Sequence, residues 1–139
     1  MKSREDLLNE SIAANIDRKF DWSNFNCALS AAEIAKAYCG KDHGEKFRKL
    51  CSGPLAAARI IRKAGGLDGI MDELGFEAVP LSLAKRGDCV LKTWDHEAKQ
   101  TLRKSLGIIV DGRKAIFFTR NGKAFVDVLK CDKAWKVGR

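Results

Sequence analysis

Two dipeptides, Asp111-Gly112 and Asn121-Gly122, each stand between short apolar runs. Asp-Gly and Asn-Gly favour the tight turn of a β-hairpin, so the runs on either side return antiparallel to one another. The turns join Leu106–Val110, Lys114–Thr119 and Ala124–Leu129 into a meander. Cys89–Trp94 reads as a strand ahead of it, reached through a turn at Ser82–Asp88, and Ala134–Val137 as a fifth strand behind it. Phe76–Val79 is a short extended piece stopped by Pro80, and Asp95–Lys104 is a polar connection.

Upstream of residue 76 the period is helical. Leu8, Ile12 and Ile16 recur every fourth residue in a helix predicted over 4–18, with Ser3 as N-cap and Asp6 at the capping-box position. Leu29, Ala32, Ile34, Ala35 and Tyr38 mark a core helix over 27–39, closed by Gly40, and the first helix is expected to pack on it. His43–Cys51 is a short charged helix or turn with Phe47 and Leu50 inward, and His43 reads as a surface turn residue. Pro54 opens a helix with Leu55, Ala58, Ile61 and Ala64 on its inner face, stopped at Gly65-Gly66. Leu67–Leu74 is a last helix capped by Gly75. Helices first and an antiparallel sheet second is an α+β chain, and its 139 residues are one domain's worth.

Chemistry-bearing residues are few. The five cysteines at 27, 39, 51, 89 and 131 form no CxxC pair, and the two histidines, His43 and His96, make no ligand pattern with them. The expectation is reduced thiols, with no disulfide frame, metal or cofactor. No apolar run approaches a membrane span, and the charged start MKSREDLLNES lacks a signal-peptide core, so synthesis and folding in a cytoplasm are expected. The net charge of +8 includes Lys99, Arg103, Lys104, Arg113, Arg120 and the tail from Lys130. Such charge attracts nucleic acid if it forms one face, and is otherwise a solvated surface; spread over several elements without a binding motif, it favours the second reading.

Cys27 stands out among the thiols because it lies in or just before the first turn of the core helix, after the aromatic stretch Phe20, Trp22 and Phe25. Unpaired backbone N–H groups and the positive end of the helix dipole favour thiolate there. The competing reading is a small apolar residue at the start of a core helix, with Trp22 and Phe25 as core packing. Asp88, in the Gly-Asp turn, reads as a turn stabiliser.

Four segments carry a resemblance: Phe20-Asp-Trp22-Ser-Asn-Phe-Asn26-Cys27, Gly87-Asp88-Cys-Val-Leu, Leu106-Gly107-Ile108-Ile-Val and Ala134-Trp135-Lys-Val137. In this order and spacing, over about residues 18–138, the chain resembles a phage and prophage family of unknown function related to the NlpC/P60 superfamily of papain-like cysteine peptidases. The resemblance implies a papain-like layout, with the nucleophile, Cys27, heading a helix and its base on the sheet. It also implies a cleft walled by Trp22 and Phe25, with Trp22 and Asn26 as binding residues. The base histidine of such peptidases would stand at position 105, where this chain has Ser105, and the third polar residue near 116–119, where it has Ile-Phe-Phe-Thr. An amidase must protonate its leaving amine, and a serine does not do so near neutral pH. His96 is the one remaining imidazole for that work on the 95–104 connection.

Three functions follow. In the first, the catalytic set is incomplete and the domain serves phage tail assembly or the tail tip, binding phage structural proteins or cell-wall peptide, in a product incorporated in a virion tail. In the second, it is an active cysteine peptidase or amidase on peptidoglycan using Cys27. In the third, it is a basic nucleic-acid-binding or host-takeover protein.

Overall fold

Ser3 begins the first helix in the manner its sequence predicts. Its hydroxyl accepts from the Asp6 backbone N–H, and the Asp6 carboxylate accepts from the Ser3 N–H, a reciprocal capping box. The computed structural model describes residues 2–21, 29–45, 54–63, 65–94, 104–119 and 122–139. Helix α1 (Arg4–Asn15) is shorter than the predicted 4–18, with Ile16 as its C-cap. Its deepest stripe is Leu8, Ser11 and Asn15, while Ile12 and Ile16 are only half-buried. The two polar members are satisfied: Ser11 donates to the Ile34 carbonyl at 2.7 Å and Asn15 to the Ser11 carbonyl at 2.8 Å. A small serine lets the helices approach closely, and its bond ties α1 to α2 (Leu29–Cys39). Gly40 follows α2 with φ +77°, the left-handed cap the sequence calls for.

Helices α3 (Pro54–Lys63) and α4 (Leu67–Glu73) follow. Leu55, expected to face inward, is 72% exposed, and the main contact of α3 among the described residues is with α4. Leu67 and Met71 of α4 reach the core. No helix among the described residues is long and apolar enough to cross a membrane.

All strand pairings are antiparallel. The strands are β1 (Ala78–Val79), β2 (Cys89–Thr93), β3 (Lys104–Ile109), β4 (Lys114–Thr119), β5 (Gly122–Asp127) and β6 (Lys133–Trp135). Their spatial order is β1-β6-β2-β3-β4-β5. The expected meander is therefore β3-β4-β5, and the last strand returns to lie between β1 and β2. Strand β5 stops earlier than the predicted 124–129, because the Asp127 carboxylate accepts from the Leu129 N–H and folds Val128–Lys130 into a 3₁₀ turn. At the β3–β4 hairpin, Asp111 closes the turn by accepting from the backbone N–H groups of Arg113 and Lys114.

Both faces of the sheet are covered. Leu91, Leu106, Ile108, Ile116, Phe118 and Trp135 pack against Leu8, Ile34, Tyr38 and Met71 of the helices. On the other face Val90, Ile109, Ala115, Phe117 and Ala134 pack against Val128 and Cys131, with Leu81 and Trp94 beside them. Two-sided burial explains why the strand sequences LGII and AIFF are continuously apolar.

Candidate functional site

The expected nucleophile Cys27, its flanking Trp22 and Asn26, and the candidate partner His96 lie outside the described residues, as do Phe25, Phe47, Leu50 and Cys51. Ser105 is described. It pairs across from Lys92 in the β2–β3 register. Side chains alternate along a strand, so Ser105 shares a face with Ile109, whereas Leu106 and Ile108 face α2. The position where a base histidine is expected is thus on the sheet face turned away from that helix. Its hydroxyl is buried and accepts a hydrogen bond of 3.0 Å from the Trp94 indole N–H. Trp94 stands edge-on to Phe117, with ring centroids 5.7 Å apart. Gly107, two residues on, holds this corner tight: a Cβ there would lie 2.6 Å from the Ile116 carbonyl and 2.8 Å from the Phe117 ring. The one polar side chain of the 116–119 stretch, Thr119, donates to the Gly122 carbonyl at 2.7 Å.

A second polar centre lies where the chain's two ends meet the start of β2. Asp88 is fully buried. Its Oδ1 accepts from Arg4 Nη2 at 3.1 Å, Arg139 Nε at 3.1 Å and the Val137 N–H at 3.2 Å. Its Oδ2 accepts from the Lys85 N–H at 2.9 Å and Arg139 Nη2 at 2.6 Å. The turn-stabilising role read from the sequence is the Lys85 bond; the two arginines add a clamp. Arg4 also donates to the carbonyls of Arg86 and Val137 and lies 5.3 Å from the Tyr38 ring centroid. Gly87 has φ +86°, and a Cβ there would sit 2.7 Å from Arg4 Nη2, so glycine is what lets the guanidinium reach the carboxylate. Burial raises the Tyr38 phenol far above its ordinary value, and its hydroxyl donates to the Gly87 carbonyl at 2.8 Å.

The third centre is at His43. It stands in a turn, as the sequence predicts, but is half-buried: its Nε2 is 3.3 Å from Cys39 Sγ, and its ring meets Phe76 edge-on at 4.8 Å. Gly40 turns the chain sharply after α2 and brings the imidazole back onto the helix's last residue. Burial pushes the Cys39 thiol up, with Lys41 pulling the other way, and burial lowers His43. A thiol and a neutral imidazole therefore face each other at neutral pH. Beside them is a half-enclosed cavity of about 60 Å³, bounded by Leu29, Ala32, Ile70, Phe76 and Leu106, with His43 in its wall. No group of three or more metal-ligating side chains occurs among the described residues.

The other described thiols are poor nucleophiles. Burial holds Cys89 far above its ordinary range and Cys131 up at about 11. Of the basic residues that a nucleic-acid-binding face would need together, Lys99, Arg103 and Arg120 lie outside the described residues. Lys104 begins β3 and Arg113 lies in the turn after its far end, about 16 Å away along the strand.

A family model for a domain of unknown function (DUF6950) matches residues 1–137. The chain belongs to this family. No curated protein and no solved structure matches it. In this DUF6950 member, two of the three polar centres were only partly legible. The Cys39-x-x-x-His43 spacing is a visible signal, one helical turn apart, but the polar context KDHGE around His43 pointed to solvent. The Gly87-Asp88 pair marked a turn, while nothing local announced Arg4 and Arg139, 84 and 51 residues away.

Proposed function

We propose that this chain is an NlpC/P60-like domain of phage or prophage origin whose catalytic set is incomplete. It works as a binding or assembly module in the tail or at the tail tip, toward protein or cell-wall peptide. The observation that carries this reading is Ser105. By the resemblance it stands where a base histidine is expected, and its hydroxyl is committed to the Trp94 indole. A serine so placed neither takes a proton from a thiol nor returns one to a leaving amine. The order of the elements, helices before an antiparallel sheet, is compatible with a papain-like layout.

The test is the pH dependence of thiol alkylation in wild type and Cys27→Ser, together with release of peptide from purified peptidoglycan. Cys39, Cys89 and Cys131 are all held protonated by burial, so a fast-reacting thiol well below pH 8 that disappears in Cys27→Ser can be assigned to Cys27. The reading expects slow alkylation and no peptide release. A reactive Cys27 accompanied by release that Cys27→Ser abolishes sinks it in favour of an active cysteine peptidase or amidase.

A further inference from the structure

A sheet that does not close leaves two edges, and each edge strand offers a row of backbone N–H and C=O groups to another strand. One edge here, β1, is two residues long and runs into Pro80. The other, β5, is six residues long and pairs only with β4 among the described residues. The register fixes which of its groups face outward. The Val128 N–H donates to the Arg113 carbonyl; further along, Val126 lies opposite Ala115 and Ala124 opposite Phe117. Hydrogen-bonded and non-hydrogen-bonded pairs alternate along an antiparallel ladder, so Val126 and Ala124 turn their backbone groups to β4. Lys123 and Phe125 turn theirs away from the sheet, as does Asp127 its N–H; the Asp127 carbonyl lies 3.8 Å from Cys131 Sγ in the turn that follows. The side chains of these three share the helical face, since Phe125 stands opposite Ile116 and Lys123 opposite Phe118. Among the described residues the helices rest mainly on β3 and β4, and Phe125 is left 52% exposed.

A lysine alone on an edge strand blunts it against pairing. Asp127 changes that, because Lys123 and Asp127 stand equally far on either side of Phe125. A second β5 laid antiparallel about Phe125 therefore meets each lysine with an aspartate. We propose that β5 is the contact surface for a second copy of this chain, the two strands pairing about a two-fold axis at Phe125 and joining two sheets into one. Phe125 exchanges both backbone hydrogen bonds with its counterpart, the Asp127 N–H donates to the facing Lys123 carbonyl, and the two Phe125 rings cover each other. The charged side chains have capacity for this. The Ile16 carbonyl takes one of the three donors of the Lys123 ammonium, and the Leu129 N–H occupies Asp127 Oδ1. The same charges exclude other registers. Outward groups alternate along the strand, so the copies slide in steps of two residues. A slide of two separates the opposite charges, and a slide of four sets Lys123 against Lys123 or Asp127 against Asp127. Ser105 takes no part, so this contact and the proposed function can fail separately.

Sedimentation equilibrium of the full chain over a wide concentration range tests this, and a reversible equilibrium between monomer and dimer is expected. Phe125→Pro removes one outward N–H from each copy without touching the ladder to β4, and should weaken the dimer by about tenfold or more. Should Phe125→Pro not fold, the exposed Lys123 carries the test. Lys123→Ala removes the ion pairs and Lys123→Glu sets like charges opposite each other, so the dimer should weaken in that order. In a mixture of ¹³C-labelled and unlabelled chains, an intermolecular nuclear Overhauser contact between the Ala124 and Val126 Hα protons is expected, because those residues form the close non-hydrogen-bonded pair of this register. A chain that stays monomeric up to its solubility limit overturns the proposal, whatever other strand the edge then takes. So does a dimer that neither Phe125→Pro nor Lys123→Glu weakens, or one in which the intermolecular contacts lie away from β5.

Discussion

Asp88 and His43 are both titratable groups held inside the same domain, and they are treated in opposite ways. Asp88 receives five hydrogen bonds, from two arginines and two backbone N–H groups. His43 has one ring nitrogen engaged and the other left without a partner among the described residues. A saturated buried carboxylate has nothing left to offer a ligand; its work is to tie Arg4 at the start of α1 and Arg139 at the chain's end to the turn before β2. An unsaturated buried nitrogen costs stability in the folded protein. The difference separates a saturated structural node from an unsatisfied group, and it does so without reference to what kind of residue each one is.

Removing the node gives the largest effect. Asp88→Ala leaves two guanidinium groups converging on a buried space without an anion, and loss of a buried partner costs about 3 kcal/mol, at the lower end of the usual range because Arg4 and Arg139 are partly exposed. Urea unfolding followed by tryptophan fluorescence reads this as a lower midpoint with an unchanged slope. A loss below about 1 kcal/mol would mean that the clamp is not a node at all. Gly87→Ala attacks the same node from the backbone. It places a Cβ 2.7 Å from Arg4 Nη2 and at φ +86°. Left-handed strain of about 1–2 kcal/mol adds to whatever part of the Arg4 contact is displaced. In the double variant with Asp88→Ala the two losses should fall short of their sum, because both act on one contact.

Ser105 is the intermediate case, a buried hydroxyl with a single described donor, the Trp94 indole. Ser105→Ala leaves that N–H unpaired and is expected to cost about 1–2 kcal/mol in the same unfolding assay. If it costs nothing, the indole has found water, and the hydroxyl is freer than its geometry implies.

These three centres also mark how far the sequence could be read. Local signals sufficed for what local physics decides: the Ser3–Asp6 capping box, the Gly40 and Gly75 stops, and the turn at Asp111. The α+β order follows from the change of hydrophobic period near residue 76. Long-range pairing was not legible. Nothing near Lys133–Trp135 says that this strand inserts between β1 and β2, because antiparallel register is set by partners far along the chain. The arginines of the Asp88 clamp are hidden for the same reason. Leu55 is exposed where the period points it inward, and Ile12 lies on the expected face but only half-buried, because periodicity gives a face but not how deeply it is covered. The turn at His43 was legible, but its half-burial was not, because that depends on Phe76, which arrives from beyond α4.

The smallest change in stability is expected at His43, and its sign is the sharpest test of the contrast. His43→Phe keeps an aromatic ring against Phe76 while removing the unpaired ring nitrogen, and replacing an unsatisfied polar group by an apolar one of similar shape is close to neutral or stabilising. At pH 8 the variant should therefore unfold within about 0.5 kcal/mol of wild type, or above it. Acid then separates the two proteins. Burial lowers the folded-state pKa of His43 below its ordinary value of 6.5, so below that pH the unfolded chain binds more protons than the folded one. Wild type accordingly keeps the full contribution of neutral His43 above pH 6.5 and loses it as the pH falls through the folded-state value. The carboxylates lowered by their partners, Asp68 beside Lys133 and Asp111 under the Arg113 N–H, titrate further down and are shared by both proteins. Subtracting the two stability curves between pH 8 and pH 5 leaves the histidine alone, with the variant gaining on wild type as the pH drops. A difference that stays flat, or a variant that loses 2 kcal/mol at pH 8, would show that Nδ1 already has a partner and that His43 belongs with Asp88 among the structural nodes.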